Sequence, residues 1–244
     1  MALEDRGELE GPHLALFDLD HTLIPFDSGL AWLGFLVRRG ALPPSAESNY
    51  LACCMDYMAG QADVRDMHRA LVRPLRHSTR AHFDEWLEDF ETDLDATVPT
   101  AAKALVAQHR EAGHRCLLVT ATTRFVAERY ARILGIDTVI ATEAARDSLG
   151  LLTGEIVGLP CVREHKLVKL RGWLALEGQT LAHFERSWFY SDSSSDLPLL
   201  RAVTHPVTVR PDTRLRAVAV QEGWHIIETL TDPEPPPQPS AEAP

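Results

Sequence analysis

In "ALFDLDHTLI", residues 15–24, Asp18 and Asp20 stand one residue apart directly behind a run of apolar side chains. Two carboxylates crowded at the end of a buried strand repel, and each raises the other's pKa unless a cation neutralises them. Magnesium suits such a pair, because it takes oxygen ligands and keeps places for water or a substrate phosphate. With the charge balanced, one carboxylate can act as a nucleophile toward phosphorus. The other can hand a proton to the leaving alcohol. The chain offers complementary parts: the Thr120 hydroxyl, the Lys166 ammonium, and the carboxylates Asp192 and Asp196 of "SDSSSD". A hydroxyl and an ammonium would stabilise charge on a transferring phosphoryl group. Taken singly, each has a plainer explanation. A DxD caps a helix or fills a solvated turn, Thr120 is strand filler, and Lys166 is a solvated helix lysine. It is the whole ordered set that points to phosphoryl transfer.

The elements that must position these residues follow from the pattern. "HLALFDL" is a near-continuous apolar run, as expected of a strand covered on both faces. Asp27 and Ser28 are good N-caps for "GLAWLGFLVRRG", and helical spacing continues to about Leu94 with no strand signal. After Pro99 strands and helices alternate. Helix "TAAKALVAQHREAG" ends at Gly113 and strand "RCLLVT" ends at Thr120. Helix "RFVAERYARILG" and strand "TVIAT" come next. The glycines of "GLLTGEIVG" are spaced for a short hairpin, and helix "EHKLVKLRGWLALEG" carries Lys166. Strands "SWFYS", "PVTV" and "WHII", with helix "DTRLRAVAVQEG", complete the series.

Such alternation predicts an α/β fold with a doubly wound parallel sheet, Rossmann-like, and an inserted all-helical segment. The expected organisation is a core of residues 1–26 and 96–230, a helical cap of 27–95 over the carboxyl edge of the sheet, and a disordered proline-rich tail of 231–244. Asp18, Asp20, Thr120, Lys166, Asp192 and Asp196 would all meet at that edge.

Composition narrows the function classes. The 244 residues carry a formal net charge of -11 and no basic block, which argues against nucleic acid as a partner. An acidic start and the lack of a long apolar stretch predict a cytoplasmic protein without membrane association. Cys53, Cys54, Cys116 and Cys161 lack zinc spacing, and the first two read as buried packing on an apolar helix. His21, His68 and His77 lack mutual metal-ligand spacing and receive no role. Trp32 and Phe35 are candidates for an exposed dimer surface, and the oligomeric state stays open.

"FDLDHT" resembles the first signature, DxDxT, of the haloacid dehalogenase (HAD) superfamily, and Thr120, Lys166 and "SDSSSD" match the later signatures in order. The resemblance spans residue 13 to about 230. It extends to the subfamily IB branch with a C1-type helical cap, and "VTATTRFV", "LTGEIVG", "SDSSSDLPLL" and "RPDTRLRAVAVQEGW" resemble its phosphoserine-phosphatase-like or histidinol-phosphatase group. The resemblance implies a Mg2+-dependent phosphomonoesterase with Asp18 as the phosphorylated nucleophile and Asp20 as general acid, then base. It implies magnesium bound by the carboxylates of Asp18 and Asp192 and the backbone carbonyl of Asp20. Thr120 and Lys166 would hold phosphoryl oxygens, and Asp196 would support Lys166 or the metal shell. Asp27 would meet a substrate amine, although it reads equally well as an N-cap. Departures from the group are Ser191 in place of Gly, "REHK" in place of a glycine-containing approach to the lysine, and Thr123 and Arg210 in place of Asn.

The expected substrate is a small amino-bearing phosphate ester, phosphoserine-like, with histidinol phosphate as the alternative and lysophospholipids or nucleotides behind. Arg65 and Arg69, four apart on one helix face, would meet a substrate carboxylate or else form a solvated face. A cap arginine turned to the nucleophile would favour phosphoserine, whereas acidic or aromatic residues there would favour histidinol phosphate. Two other classes remain. A receiver-type phospho-accepting domain also uses carboxylates, Thr and Lys around magnesium, but lacks the inserted helices. A binding protein with a retired site is disfavoured by the complete set of residue types.

Overall fold

The structure, a computed structural model, describes residues 11–76 and 78–230. The expected tail, the acidic start up to residue 10, and His77 lie outside the described residues. Strand β1 (His13–Phe17) is buried along its whole length. It pairs in parallel with β2 (Arg115–Thr123) on one side and β5 (Arg186–Ser191) on the other. Beyond these lie β3 (Thr138–Arg146), β4 (Leu152–Val157), β6 (His205–Val209) and β7 (His225–Ile227), in the order β4-β3-β2-β1-β5-β6-β7. The chain order reverses between β1 and β5, and open α/β sheets hold their ligands at the carboxyl side of such a switch point. Alternate residues of β1 enter different apolar clusters: Ala15 and Phe17 join one, Leu14 and Leu16 the other. Both faces of the strand are therefore covered, which explains its unbroken apolar run.

Helices α1 (Ser28–Arg38), α2 (Ser45–Met58), α3 (Val64–Val72) and α4 (Arg80–Leu94) intervene between β1 and α5 (Thr100–Glu111). Asp27 caps α1 by accepting from the Leu30 N–H at 2.7 Å, and Asp63 forms a capping box with Asp66 on α3. An aromatic cluster joins this helical segment to α6 (Arg124–Leu134): Trp32 meets Phe90 at 5.0 Å between ring centres, and Phe83 meets Phe125 at 5.2 Å. Trp32 is 0% and Phe35 2% exposed, so the expected dimer surface on these two residues is instead interior packing. No helix of the described residues is long and apolar enough to cross a membrane.

Three local expectations are corrected. β2 continues past Thr120 to Thr123, with a register irregularity between Val119 and Thr123, because Thr123 still pairs with Thr142 of β3. The glycines of "GLLTGEIVG" do not enclose a hairpin. β4 pairs antiparallel with β3, which runs on to Arg146, and Gly150 takes the positive φ in the turn between them. Cys53 and Cys54 are half-buried rather than buried, since α2 leaves Leu51, Met55 and Met58 exposed on its outer side.

Candidate active site

The first carboxylate follows directly from the strand that presents it. The Asp18 N–H bonds to the Tyr190 carbonyl at 3.0 Å, continuing the β1–β5 ladder by one residue. Its Oδ1 accepts from the Leu19 N–H at 2.8 Å and lies 2.9 Å from Lys166 Nζ. Lys166 enters from the first turn of α7 (Glu164–Leu176) and donates to Asp196 Oδ2 at 2.6 Å. Ser191 also donates to Asp196 Oδ2, at 2.8 Å, so the serine expected only to alter backbone freedom anchors the lysine's second partner. Asp192, just past β5, accepts from the Thr22 hydroxyl at 3.0 Å.

Three carboxylates thus face one ammonium. Burial raises the pKa of Asp18; Lys166 draws it back down, and Asp192 pushes it up again. Asp192 is raised by burial against the pull of Thr22 and Lys166, and burial lifts Asp196 to about 6 although Lys166 opposes it. For Lys166, burial favours the neutral amine, but Asp18 and Asp196 outweigh it and hold the ammonium charged. The surplus negative charge and the hard oxygen donors fit a small divalent cation. Among the described residues no group of three His, Cys, Asp or Glu side chains forms a metal site. Two carboxylates and a carbonyl would leave the remaining positions to water and substrate oxygens.

Asp20 has different surroundings. Its Oδ1 accepts from the Ser28 N–H at the start of α1, at 2.8 Å, and its Oδ2 from the Thr122 hydroxyl at 2.7 Å. Burial first, then the nearby Asp27 charge, push its pKa up to about 8. It is therefore a carboxylic acid with a proton to give near neutrality. Thr120, 1% exposed, donates to Thr122 at 3.1 Å.

The loop joining Asp20 to α1 is held from a distance. His21 adopts φ 58°, and Arg210, itself at φ 45°, donates to the His21 and Thr22 carbonyls at 2.7 and 3.0 Å. Arg163, in the "REHK" approach to the lysine, has φ 51°, the left-handed conformation that favours glycine. Lys166 is delivered to Asp18 with an arginine in that strained place.

A cavity of about 90 Å³ opens beside Asp20, lined among others by Asp27, Tyr50, Tyr57, Met67 and His68. No arginine or lysine is among its described lining residues. His68, left without a role in the sequence, is buried between Thr123 Oγ1 and the Glu155 carbonyl, each at 3.1 Å, and burial lowers its pKa. Arg65 and Arg69 lie outside the cavity lining, on the exposed side of α3. Arg69 forms a two-pronged pair with Glu155 of β4, both contacts at 3.1 Å, and Arg65 donates to the Gly158 carbonyl at 3.2 Å. His68 and Arg69 thus meet the same residue of β4, the histidine at its carbonyl and the arginine at its side chain.

The fold and the site define a Rossmann-like α/β enzyme whose charged groups gather at the switch point of the sheet. The chain belongs to the haloacid dehalogenase-like hydrolases, whose family profile matches residues 15–201. It is 33% identical over 217 residues to a histidinol-phosphatase of Neisseria meningitidis, covering 88% of this chain and 98% of that one. It is 36% identical over 222 residues to the phosphoserine phosphatase SerB1 of Mycobacterium tuberculosis, covering 87% and 69%. A solved structure of a Bordetella pertussis protein of unknown function matches with a TM-score of 0.83 and 38% identity, covering 89% of this chain and 99% of that one.

Proposed function

We propose that the protein is a magnesium-dependent phosphomonoesterase working through a phosphorylated Asp18, with a small amine-bearing phosphate ester lacking a carboxylate as substrate. Histidinol phosphate is the first candidate. The observation that carries the chemistry is the buried Asp18–Lys166–Asp196 contact, 2.9 and 2.6 Å long, with Asp192 close enough to raise Asp18.

In the first step an Asp18 oxygen forms a bond to phosphorus as the ester P–O bond breaks, and Asp20 gives its proton to the departing alkoxide. In the second, Asp20 takes a proton from water. The water oxygen bonds to phosphorus, the bond to Asp18 breaks, and inorganic phosphate leaves. Thr120 and Lys166 bear the charge of the phosphoryl oxygens. Asp18, Asp192 and the Asp20 carbonyl would hold magnesium, which when bound neutralises the phosphate and the carboxylates around it. Of the described residues, those between 27 and 95 serve as a cap, with residues 11–26 and 96–230 as the core.

The substrate reading rests on the cavity beside Asp20. Asp27 and two tyrosines suit an ammonium and a flat ring, while the two cap arginines that would meet a carboxylate are engaged on Glu155 of β4 and on the Gly158 carbonyl just past it. The match to a relative named histidinol-phosphatase points the same way. A Cβ at Gly29 would run into the Tyr50 hydroxyl, so Gly29→Ala should disturb this pocket specifically. Phosphate release from histidinol phosphate, phosphoserine and an aryl phosphate, each with magnesium, tests the reading. Preference for histidinol phosphate is expected; preference for phosphoserine would overturn the substrate, and inertness toward all three the catalytic reading.

A further inference from the structure

Ser28 and Thr122, which neither the motifs nor the proposed chemistry uses, join Thr120 in a hydrogen-bonded network around Asp20. Thr122 donates its hydroxyl proton to Asp20 Oδ2 at 2.7 Å. A hydroxyl has a single proton, so Thr122 can only accept in its other contacts. Thr120 Oγ1 lies 3.1 Å away and is one donor. Ser28 Oγ, at 3.0 Å, must then be the other. The Ser28 backbone N–H meanwhile holds Asp20 Oδ1 at 2.8 Å. Ser28, Thr120 and Thr122 are 0%, 1% and 8% exposed, so water does not compete strongly for these bonds. Thr120 and Thr122 share one face of β2 by the two-residue period of a strand, and Ser28 begins α1.

Both oxygens of Asp20 are thereby fixed, one by each structural unit that meets at the site. We propose that Thr122 is the positioning residue of the proton-transfer step, setting the rotation of the Asp20 carboxyl, with Ser28 seating Thr122 from the first turn of α1. The inference rests on the phosphatase reading given above and adds to it a residue that touches neither phosphorus nor the leaving oxygen. It also ties the two ends of the reaction together. Thr120 gives its proton to Thr122 here and would turn it to a phosphoryl oxygen when the substrate is present.

The test separates proton transfer from nucleophilic attack. Thr122→Val keeps shape and removes the hydroxyl, and Thr122→Ser restores it. With an alkyl phosphate, whose leaving group needs a proton, Thr122→Val should lower kcat roughly 10- to 100-fold with KM little changed, and Thr122→Ser should recover most of that loss. With an aryl phosphate, the pre-steady-state burst of aryl alcohol should stay within about 3-fold of wild type, because that leaving group departs unprotonated. The later turnover, which needs Asp20 as a base, should slow. Ser28→Ala should shift both substrates in the same selective direction by a smaller factor. It supplies the answer if Thr122→Val melts early.

Equal losses for both leaving groups in the burst phase, or failure of Thr122→Ser to recover activity, would assign Thr122 to packing and overturn the inference alone. A wild-type protein inert toward every ester would remove the phosphatase reading and this inference with it.

Discussion

Two buried polar clusters stand at opposite ends of β1. At its carboxyl end Asp18, Asp192 and Asp196 crowd around one ammonium, and all three carboxylates are pushed toward protonation. At its amino end His13, His109 and His114 chain together, at 3.2 Å between His13 Nδ1 and His114 Nε2 and 2.7 Å between the His109 and His114 Nδ1 atoms. That chain ends on the Tyr190 hydroxyl, 2.8 Å from His109 Nε2, with His114 stacked on Trp188. Both clusters are polar and largely buried. They differ in that the imidazoles bond to one another and to a hydroxyl, whereas three carboxylates share the single ammonium of Lys166. Burial of polar groups does not mark a site. Uncompensated charge at the ligand edge of the sheet does.

The comparison can be broken most sharply by Asp18→Asn. Phosphate release should fall by about four orders of magnitude or more, as loss of a nucleophile predicts, with circular dichroism unchanged. A chelator should stop turnover of the wild type, and added magnesium should restore it. Asp20→Asn should cost roughly 100- to 10,000-fold for alkyl phosphates and less in the burst with aryl phosphates.

On the stability side, Trp32→Ala should cost about 3–5 kcal/mol in urea unfolding, since a 0% exposed indole packed on four phenylalanines leaves a cavity. The pH dependences carry opposite signs for His109 and Asp20. Burial, aided by His114, lowers His109 to about 4 against an ordinary 6.5. The unfolded chain therefore binds that proton first, and stability is full above about pH 6.5 and lost as pH falls toward 4. His109→Gln should flatten this acid limb while leaving turnover at neutral pH within about 2-fold. Asp20 is raised from 3.8 to about 8, so the folded state holds its proton longer and loses stability as pH rises through that window. Melting of the metal-free Asp20→Asn protein should exceed wild type at pH 9 and converge with it in acid.

Much of this was legible in the sequence. Apolar runs and helix caps place β1, α1 and the later alternation within a few residues, and strand ends carry Asp18, Asp192 and Asp196 to one edge, because these depend on local pattern. The course of β2 past Thr120 and the pairing of β4 with β3 were not legible, since tertiary partners decide how far a strand runs. Nor could the sequence turn a helix about its axis. Arg65, Arg69 and His68 share α3, and only packing shows that the histidine is buried while Arg69 stays exposed. The roles of Ser28 and Thr122 were hidden for the same reason, being 94 residues apart and joined only by the fold. The threonine pair in "VTATT" was the available hint.

The most direct test of the central claim is to quench the magnesium-loaded protein during turnover of histidinol phosphate and reduce it with borohydride, which converts an aspartyl phosphate to homoserine. Mass analysis of the peptide bearing residue 18 should find homoserine at that position, and none in Asp18→Asn. Phosphate release with no reducible group at Asp18, or with homoserine at another aspartate, would contradict the account.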